Sequence, residues 1–484
     1  MRYIKSAVLG LLLTVFAHCI CYGKATFKPS VIEAAKRSVV AVDRCAALTA
    51  YTAPQELHSN GVVIDKEVGY ILTSGLAVGP VIVADYTIGF FNGIEAPAKL
   101  IYYDTWADFA VLQIDPSVFP QEVQAVKLSN KDPLLGQAVF TIAKGKNKQA
   151  IYYPGSVDDT NYSLRWTMPQ HFIRVSVPSR SSATGSLIFN KAGEGIALNC
   201  AGSDTTDVGL HLSYVHHALS ALKQKKQPVR KHIGVLLTTY ALDEAVCYDH
   251  LPEASRKAYC TKFPNAKNKI LQVEGILKGT PADHRLLPGD LIWVINGQLV
   301  GPNLVDFDRA MDKAPKDQLL LTIFRHGAFH EVAIPFYSLH NHRVTKIVQF
   351  GGTTFFETDD LCSVLGGVPP KTLVACIAAP DAIFRVECLQ RDYFNILGMQ
   401  FLAINGQPVQ TLDALIALIP QLVHQKYFTV EYIQHVSFYR ELFVSLAHNR
   451  CKVNVAYDPN LAPPKVWEWG PIHLEWKGQA IVLQ

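Results

Sequence analysis

Cysteine is the residue type here with the widest chemical range. Of ten cysteines, Cys19 and Cys21 lie near the start; the others are Cys45, Cys200, Cys247, Cys260, Cys362, Cys376, Cys388 and Cys451. No pair has C-x-x-C spacing, so neither a zinc site nor a dithiol redox site is indicated. Their even number is compatible with disulfides in an oxidising compartment. The pairs to test first are Cys247 with Cys260 and Cys376 with Cys388. No motif calls for a metal or a cofactor. Cations cluster only at Lys223, Lys225, Lys226, Arg230 and Lys231, which read as a solvated linker. A formal net charge of +4, with 18% charged residues and no long basic run, gives nucleic-acid binding no electrostatic support.

The elements that must position any chemistry are mostly strands. A chain of 484 residues, 49% of them hydrophobic, suggests about three domains. From about residue 38 to 215, short apolar runs recur between turn residues, among them 61–64, 70–72, 81–83, 109–112 and 138–142. That spacing predicts a β-barrel or sandwich. A polar helix over 214–226 closes this region. Beyond it lies a repeat: Asp290-Leu-Ile-Trp-Val-Ile-Asn296-Gly297 is echoed by Met399-Gln-Phe-Leu-Ala-Ile-Asn405-Gly406. Each copy runs a strand into an Asn-Gly turn and then a predicted helix, 303–313 and 412–422, as two tandem domains would. At the N-terminus, Arg2 and Lys5 precede an apolar run over 7–20 and the small residues around Gly23-Lys24-Ala25. This predicts a signal peptide cleaved near Ala25 and an exported protein, periplasmic or secreted. No later segment is apolar enough for a membrane-spanning helix.

Gly279-Thr-Pro-Ala282 with Leu287-Pro-Gly-Asp290, a strand, Asn-Gly and a helix resembles the PDZ domain of the HtrA (Deg) serine proteases. Upstream, residues 61–66 and 69–73 resemble the approach to the catalytic histidine of that family. Residues 107–112 resemble its aspartate motif, and 185–191 with 196–199 its nucleophile loop and following strand. Val78-Gly79-Pro80, Trp106-Ala-Asp-Phe109 and Ala197-Leu-Asn-Cys-Ala-Gly202 are most similar to the long-form HtrA proteins of fungi and plants. The resemblance implies a mainly β chain: a trypsin-like double barrel followed by two PDZ domains. The expected divisions are a signal peptide over 1–25, a protease-like domain over 26–226, PDZ domains over 227–338 and 339–450, and an extension over 451–484.

Serine-protease chemistry needs an oxygen nucleophile, a histidine base, a carboxylate that orients the base, and backbone N–H groups for the oxyanion. Where the family has Thr-Asn-x-His, this sequence reads Thr73-Ser74-Gly75-Leu76, so leucine stands at the base position and accepts no proton. The acid remains as Asp108, expected to bond backbone or a hydroxyl such as that of Ser74. Counting back from Asn190 and Gly193 puts Thr184 at the nucleophile position; a one-residue shift would put Ala183 there. Ser182 replaces the glycine that turns an N–H toward the oxyanion. His58 and His171 are the candidates for a replacement base, and lone histidines usually pack or face solvent.

These losses predict a pseudoprotease in which peptide binding is retained, acting as chaperone, scaffold or adaptor. The alternative is an active endopeptidase with a displaced or threonine-based site. PDZ domains add a peptide to a sheet edge beside a helix. Candidate contacts are Ile233, Gly234 and Val235 with Leu304 and Phe307 in the first repeat, and Phe350, Gly351 and Gly352 with Leu412 and Leu415 in the second. A bulky residue at Gly234 should then obstruct the first edge. Expected partners are peptides or unfolded clients. The resemblance adds a homo-oligomer, a trimer through the protease-like domain; a third reading, within the binding class, is a regulatory subunit that co-assembles with an active HtrA protease.

Overall fold

The computed structural model describes residues 27–49, 56–79, 82–145, 149–162, 171–179, 182–277, 279–314, 317–339, 344–358, 371–377, 399–436, 447–458, 460–470 and 475–482. The predicted signal peptide, Cys362 and Cys388 lie outside them. After helix α1 (Pro29–Ser38) come β1 (Val39–Thr49), β2 (Glu56–Asp65), β3 (Tyr70–Ser74), the short helix α2 (Gly75–Val78), β4 (Ile82–Gly89), β5 (Glu95–Asp104) and β6 (Phe109–Gln113). These six strands close a barrel in the order β1-β2-β3-β6-β5-β4. The long β1 pairs β2 along one edge and β4 along the other, with a bulge at Ala46/Leu48 on the β4 side. A second barrel follows, ordered β10-β11-β12-β9-β8-β7, from β7 (Ala138–Lys144), β8 (Ala150–Tyr162), β9 (Phe172–Ser176), β10 (Leu187–Phe189), β11 (Gly195–Gly202) and β12 (Asp207–His211). One apolar cluster joins Val62 and Leu72 of the first barrel to Phe140, Leu187 and Leu198 of the second, which packs the two barrels together. Helix α3 (Ser213–Lys223) closes the second barrel, burying Val215, Ala218 and Leu222. The mainly β double barrel expected from the sequence is therefore present.

The segment after α3 is not a simple solvated linker. Arg230 is buried; its Nη2 lies 3.1 Å from Asp104 Oδ2, and its guanidinium lies over the Tyr214 ring at 4.9 Å. Only Lys223, Lys225 and Lys226 of that basic cluster are fully exposed. Strand β13 (Lys231–His232) pairs with β20 (Tyr337–Ser338). Between them run β14 (Val235–Ala241), α4 (Leu242–Tyr248), α5 (Glu253–Lys262), β15 (Lys269–Ile276), β16 (Leu291–Ile295), β17 (Gln298–Leu299), α6 (Leu304–Asp312), β18 (Gln318–Arg325) and β19 (Ala328–Pro335). The sheet order is β14-β15-β16-β18-β19.

The last sheet is built from β21 (Lys346–Phe350), β22 (Thr353–Glu357), β23 (Leu373–Ile377), β24 (Met399–Ile404), β25 (Gln407–Pro408), α7 (Leu412–Leu422), β26 (Tyr427–Val436), β27 (Ala447–Ala456), β28 (Lys465–Gly470) and β29 (Glu475–Ala480). Its order is β27-β26-β24-β23-β22-β21-β28-β29. The repeat seen in the sequence is a repeat in space. Asn296 and Asn405 both take left-handed backbone (φ 48° and 50°), and each is followed by a positive-φ glycine, the pattern a two-residue hairpin turn requires. Asn296 Oδ1 accepts from Leu320 N at 3.1 Å, and Asn405 Oδ1 accepts from Thr429 N at 2.8 Å. The division anticipated at residue 451 falls inside β27, and the hairpin β28–β29 belongs to the same sheet as β21.

Candidate functional site

Strand β3 leads into α2, where the Leu76 side chain is 56% exposed. Beneath α2 sits Asp108, held in left-handed backbone (φ 55°) by Gly75 N donating to Asp108 O at 2.7 Å and Asp108 N donating to Asp104 O at 2.8 Å. A Cβ on Gly75 would stand 1.9 Å from Asp108 Oδ1, so glycine there makes room for the carboxylate. Asp108 does not bond Ser74. Its Oδ1 accepts from the Tyr103 hydroxyl at 3.4 Å, while Ser74 Oγ is buried with no partner among the described residues. Burial pushes the Asp108 carboxyl up to about 6 and the charge of Asp104 adds to this, against the lowering effect of the Tyr103 hydrogen bond. The side-chain partner of the Asp108 carboxyl is thus a phenol.

Asn60 on β2 holds the nucleophile loop. Its Nδ2 donates to Ser182 O at 2.8 Å and to Thr184 O at 3.0 Å, its backbone N–H donates to Thr184 O at 3.1 Å, and its Oδ1 accepts from Lys144 N at 2.6 Å. Thr184 is buried (8% exposed) and Ala183 fully so. Gly185, at φ +87°, packs so tightly that a Cβ would lie 2.0 Å from Asn60 O. The loop is bonded from within: Ser182 N donates to Ser179 O at 3.1 Å, and Ser182 Oγ donates to the same carbonyl at 2.5 Å. Ser179 is in turn fixed by Asp207 on β12, whose carboxylate accepts from Ser179 Oγ at 2.6 and 2.7 Å and from Asn199 Nδ2 at 2.7 Å. Burial pushes the Asp207 carboxyl up to about 6 despite those two donors. Asn60, Tyr103, Ser179 and Asp207 carry this arrangement. No motif singled them out, because each acts through a contact distant in sequence.

Neither spare histidine is poised as a base. His58 Nδ1 is 2.6 Å from Asp43 Oδ1, and its Nε2 is 2.9 Å from Lys144 O. His171 is buried against the His211 ring (centroids 5.1 Å apart), and burial lowers it to about 3, so it remains neutral.

The expected peptide contacts differ between the two repeats. In the first, Ile233, Val235, Leu304 and Phe307 all lie in one buried cluster. Gly234 has φ +89°, and a Cβ there would lie 1.9 Å from Thr280 Oγ1; a bulky residue would disrupt the sheet's start rather than merely obstruct an edge. In the second, Phe350, Leu412 and Leu415 are core residues. Gly351 and Gly352 do not form a carboxylate-receiving loop. They are the two central residues (φ 58° and 71°) of a tight hairpin in which Phe350 faces Thr353. Cys247 and Cys260 are both free: Cys247 is exposed on α4, and Cys260 Sγ on α5 lies 3.8 Å from Asn268 Oδ1. The Cys376–Cys388 pairing falls outside the described residues. Among the described residues no cluster of potential metal ligands occurs.

The family model for a trypsin-like peptidase domain matches residues 59–198, the stretch that contains positions 76, 108 and 184. An uncharacterized protein of Rickettsia prowazekii, RP187, is 31% identical over 192 residues, covering 38% of this chain and 98% of that protein. The pro-apoptotic serine protease NMA111 of Eremothecium gossypii is 26% identical over 387 residues, covering 77% of this chain. The chain belongs to the HtrA family. It spans 38% of the length of that NMA111 protein. Among solved structures, the HtrA-type protease AlgW with decapeptide covers 64% of this chain at 17% identity, with a TM-score of 0.47. Within this HtrA chain, the matched stretch includes Leu76, Asp108 and Thr184.

Proposed function

We propose that this HtrA chain is an exported, non-catalytic binding protein that captures extended peptides or unfolded client segments through a PDZ-type sheet. The observation that carries the reading is the pairing of Leu76 at the base position with a Ser182 amide already bonded to Ser179 O. Without a base the hydroxyl of Thr184 is not activated, and without a free amide the oxyanion lacks a donor; both contributions are large in serine-protease catalysis. What remains open is an edge. Among the described residues β14 pairs only with β15, so one side of Val235–Ala241 is free to take an added strand.

The test uses unfolded casein and the full mature chain. Casein should remain intact, a fluorophosphonate should not label the protein, and bound casein should slow amide exchange within 235–241. Digestion that Thr184→Ala abolishes would overturn the reading in favour of a threonine-based peptidase. Casein that leaves 235–241 unprotected would remove β14 as the site. Export is checked by sequencing the N-terminus of the mature protein, expected to begin after about Ala25; an intact Met1 would contradict it.

A further inference from the structure

The two repeats are equivalent strand for strand, yet their edges are not. One constant interval separates Asn296 from Asn405 and Leu320 from Thr429, and the same bulge precedes each Asn-Gly turn, at Ile292/Val294 and Phe401/Ala403. Working outward, β16 corresponds to β24, β15 to β23 and β14 to β22. The outer side of β14 is unpaired among the described residues. The outer side of β22 is covered by β21 from Thr353 to Phe356, with Ile347 opposite Phe356, Val348 opposite Phe355, Gln349 opposite Thr354 and Phe350 opposite Thr353.

Strand β21 lies as an added peptide lies. It runs antiparallel to β22 and sits against α7. Val348 and Phe350, two positions apart and therefore on one face, are buried in the cluster that contains Leu412 and Leu415. Lys346 Nζ reaches Asp413 in the first turn of α7 at 2.8 Å. The Phe350 ring stacks on Tyr457 with centroids 5.8 Å apart. The far side of β21 pairs with β28 from Lys346 to Gln349, so the C-terminal hairpin clamps it in place. Main-chain pairing with alternate side chains in apolar pockets beside a helix is how a sheet edge recognises an extended ligand.

We infer that β21 is a tethered ligand. It closes the second repeat to other peptides, leaves β14 as the chain's receptor edge, and displays the class of ligand that edge takes: an extended segment running antiparallel to β14, with two apolar side chains at alternate positions. The last two parts rest on the peptide-binding reading of β14; the closure of β22 does not.

The experiments separate these parts. Without any ligand, hydrogen exchange of the full chain should place the amides of 353–357 in a slow class, with part of 235–241 exchanging fast. Fast exchange throughout 353–357 would overturn the closure, whatever binds elsewhere. The probe for the ligand class is a synthetic peptide ending in Lys-Ile-Val-Gln-Phe with a free carboxylate, compared with one in which Val and Phe are both serine. Calorimetry should give one peptide per chain, new protection should appear at 235–241, and the serine peptide should bind at least about tenfold more weakly. Two peptides per chain, protection at 353–357, equal affinity of the two peptides, or no binding by either would overturn the ligand assignment. Failure to bind casein as well would sink the peptide reading itself and leave the exchange result at β22 standing.

Discussion

At the scale of single residues, the bonded Ser182 amide is an obstacle to catalysis separate from Leu76. Restoring only the side chains of a triad, Leu76→His with Thr184→Ser, should yield a protein that a fluorophosphonate still fails to label, because the Ser182 amide stays with Ser179 O. Adding Ser182→Gly and Ser179→Ala should bring measurable labelling, since the second change also removes the bond to Asp207. Full labelling of the double variant would show that the loop is not the obstacle. Asp108 gives a pH test. Its folded pKa, about 6, lies above its ordinary value of 3.8. The protonated form is therefore favoured by folding: this contribution is fully present below about pH 4 and is lost as pH rises through about 6. Asp108→Asn keeps a neutral side chain at every pH. It should match the wild type near pH 4 and exceed it near pH 7.5 by up to roughly 3 kcal/mol in urea denaturation. A difference independent of pH would contradict the burial argument.

At the scale of elements, Asn60 shows how one side chain joins two barrels. Asn60→Ala would remove two donors to the nucleophile loop and the acceptor for Lys144 N, leaving buried main-chain groups unpaired. A loss of roughly 3 kcal/mol in unfolding free energy is expected, about 1 kcal/mol per bond; a change below about 1 kcal/mol would mean that water replaces the side chain. The strands themselves were legible, because apolar runs separated by turns repeat in the sequence and the Asn-Gly turns fix hairpins locally. Leu76, Asp108 and Thr184 were legible as candidate positions for the same local reason. Tyr103, Asn60 and Ser179 were not, since what makes them matter is a partner brought near by barrel closure. The Gly351-Gly352 pair misled in an instructive way. Two glycines permit a loop that receives a carboxylate and also a two-residue turn, and the pairing of Phe350 with Thr353 decides for the turn.

At the scale of the molecule, the first repeat is bound to the barrel through the loop that carries Asp108. Asp104, which accepts from Trp106 N at 3.1 Å and Ala107 N at 2.7 Å, meets Arg230, while Trp106 packs with Leu236 of β14 and Leu277. Arg230→Met would strand the buried Asp104 carboxylate and should destabilise the chain by roughly 3–5 kcal/mol. It should also speed proteolysis within 224–229, measured by timed digestion; an unchanged cleavage rate would show that Trp106 and Leu236 hold the repeat alone. The Gly-Gly hairpin has a consequence of a different kind. A strand joined to its own acceptor by two residues competes with every free segment at the effective concentration of a very short tether, on the order of millimolar or above. Any outside rival for β22 faces that concentration at all times, so a free segment of equal intrinsic affinity must reach a comparable concentration to displace half of it. Nicking the backbone at Gly351-Gly352 would turn a fixed feature of the fold into an ordinary bimolecular equilibrium that dilution can shift.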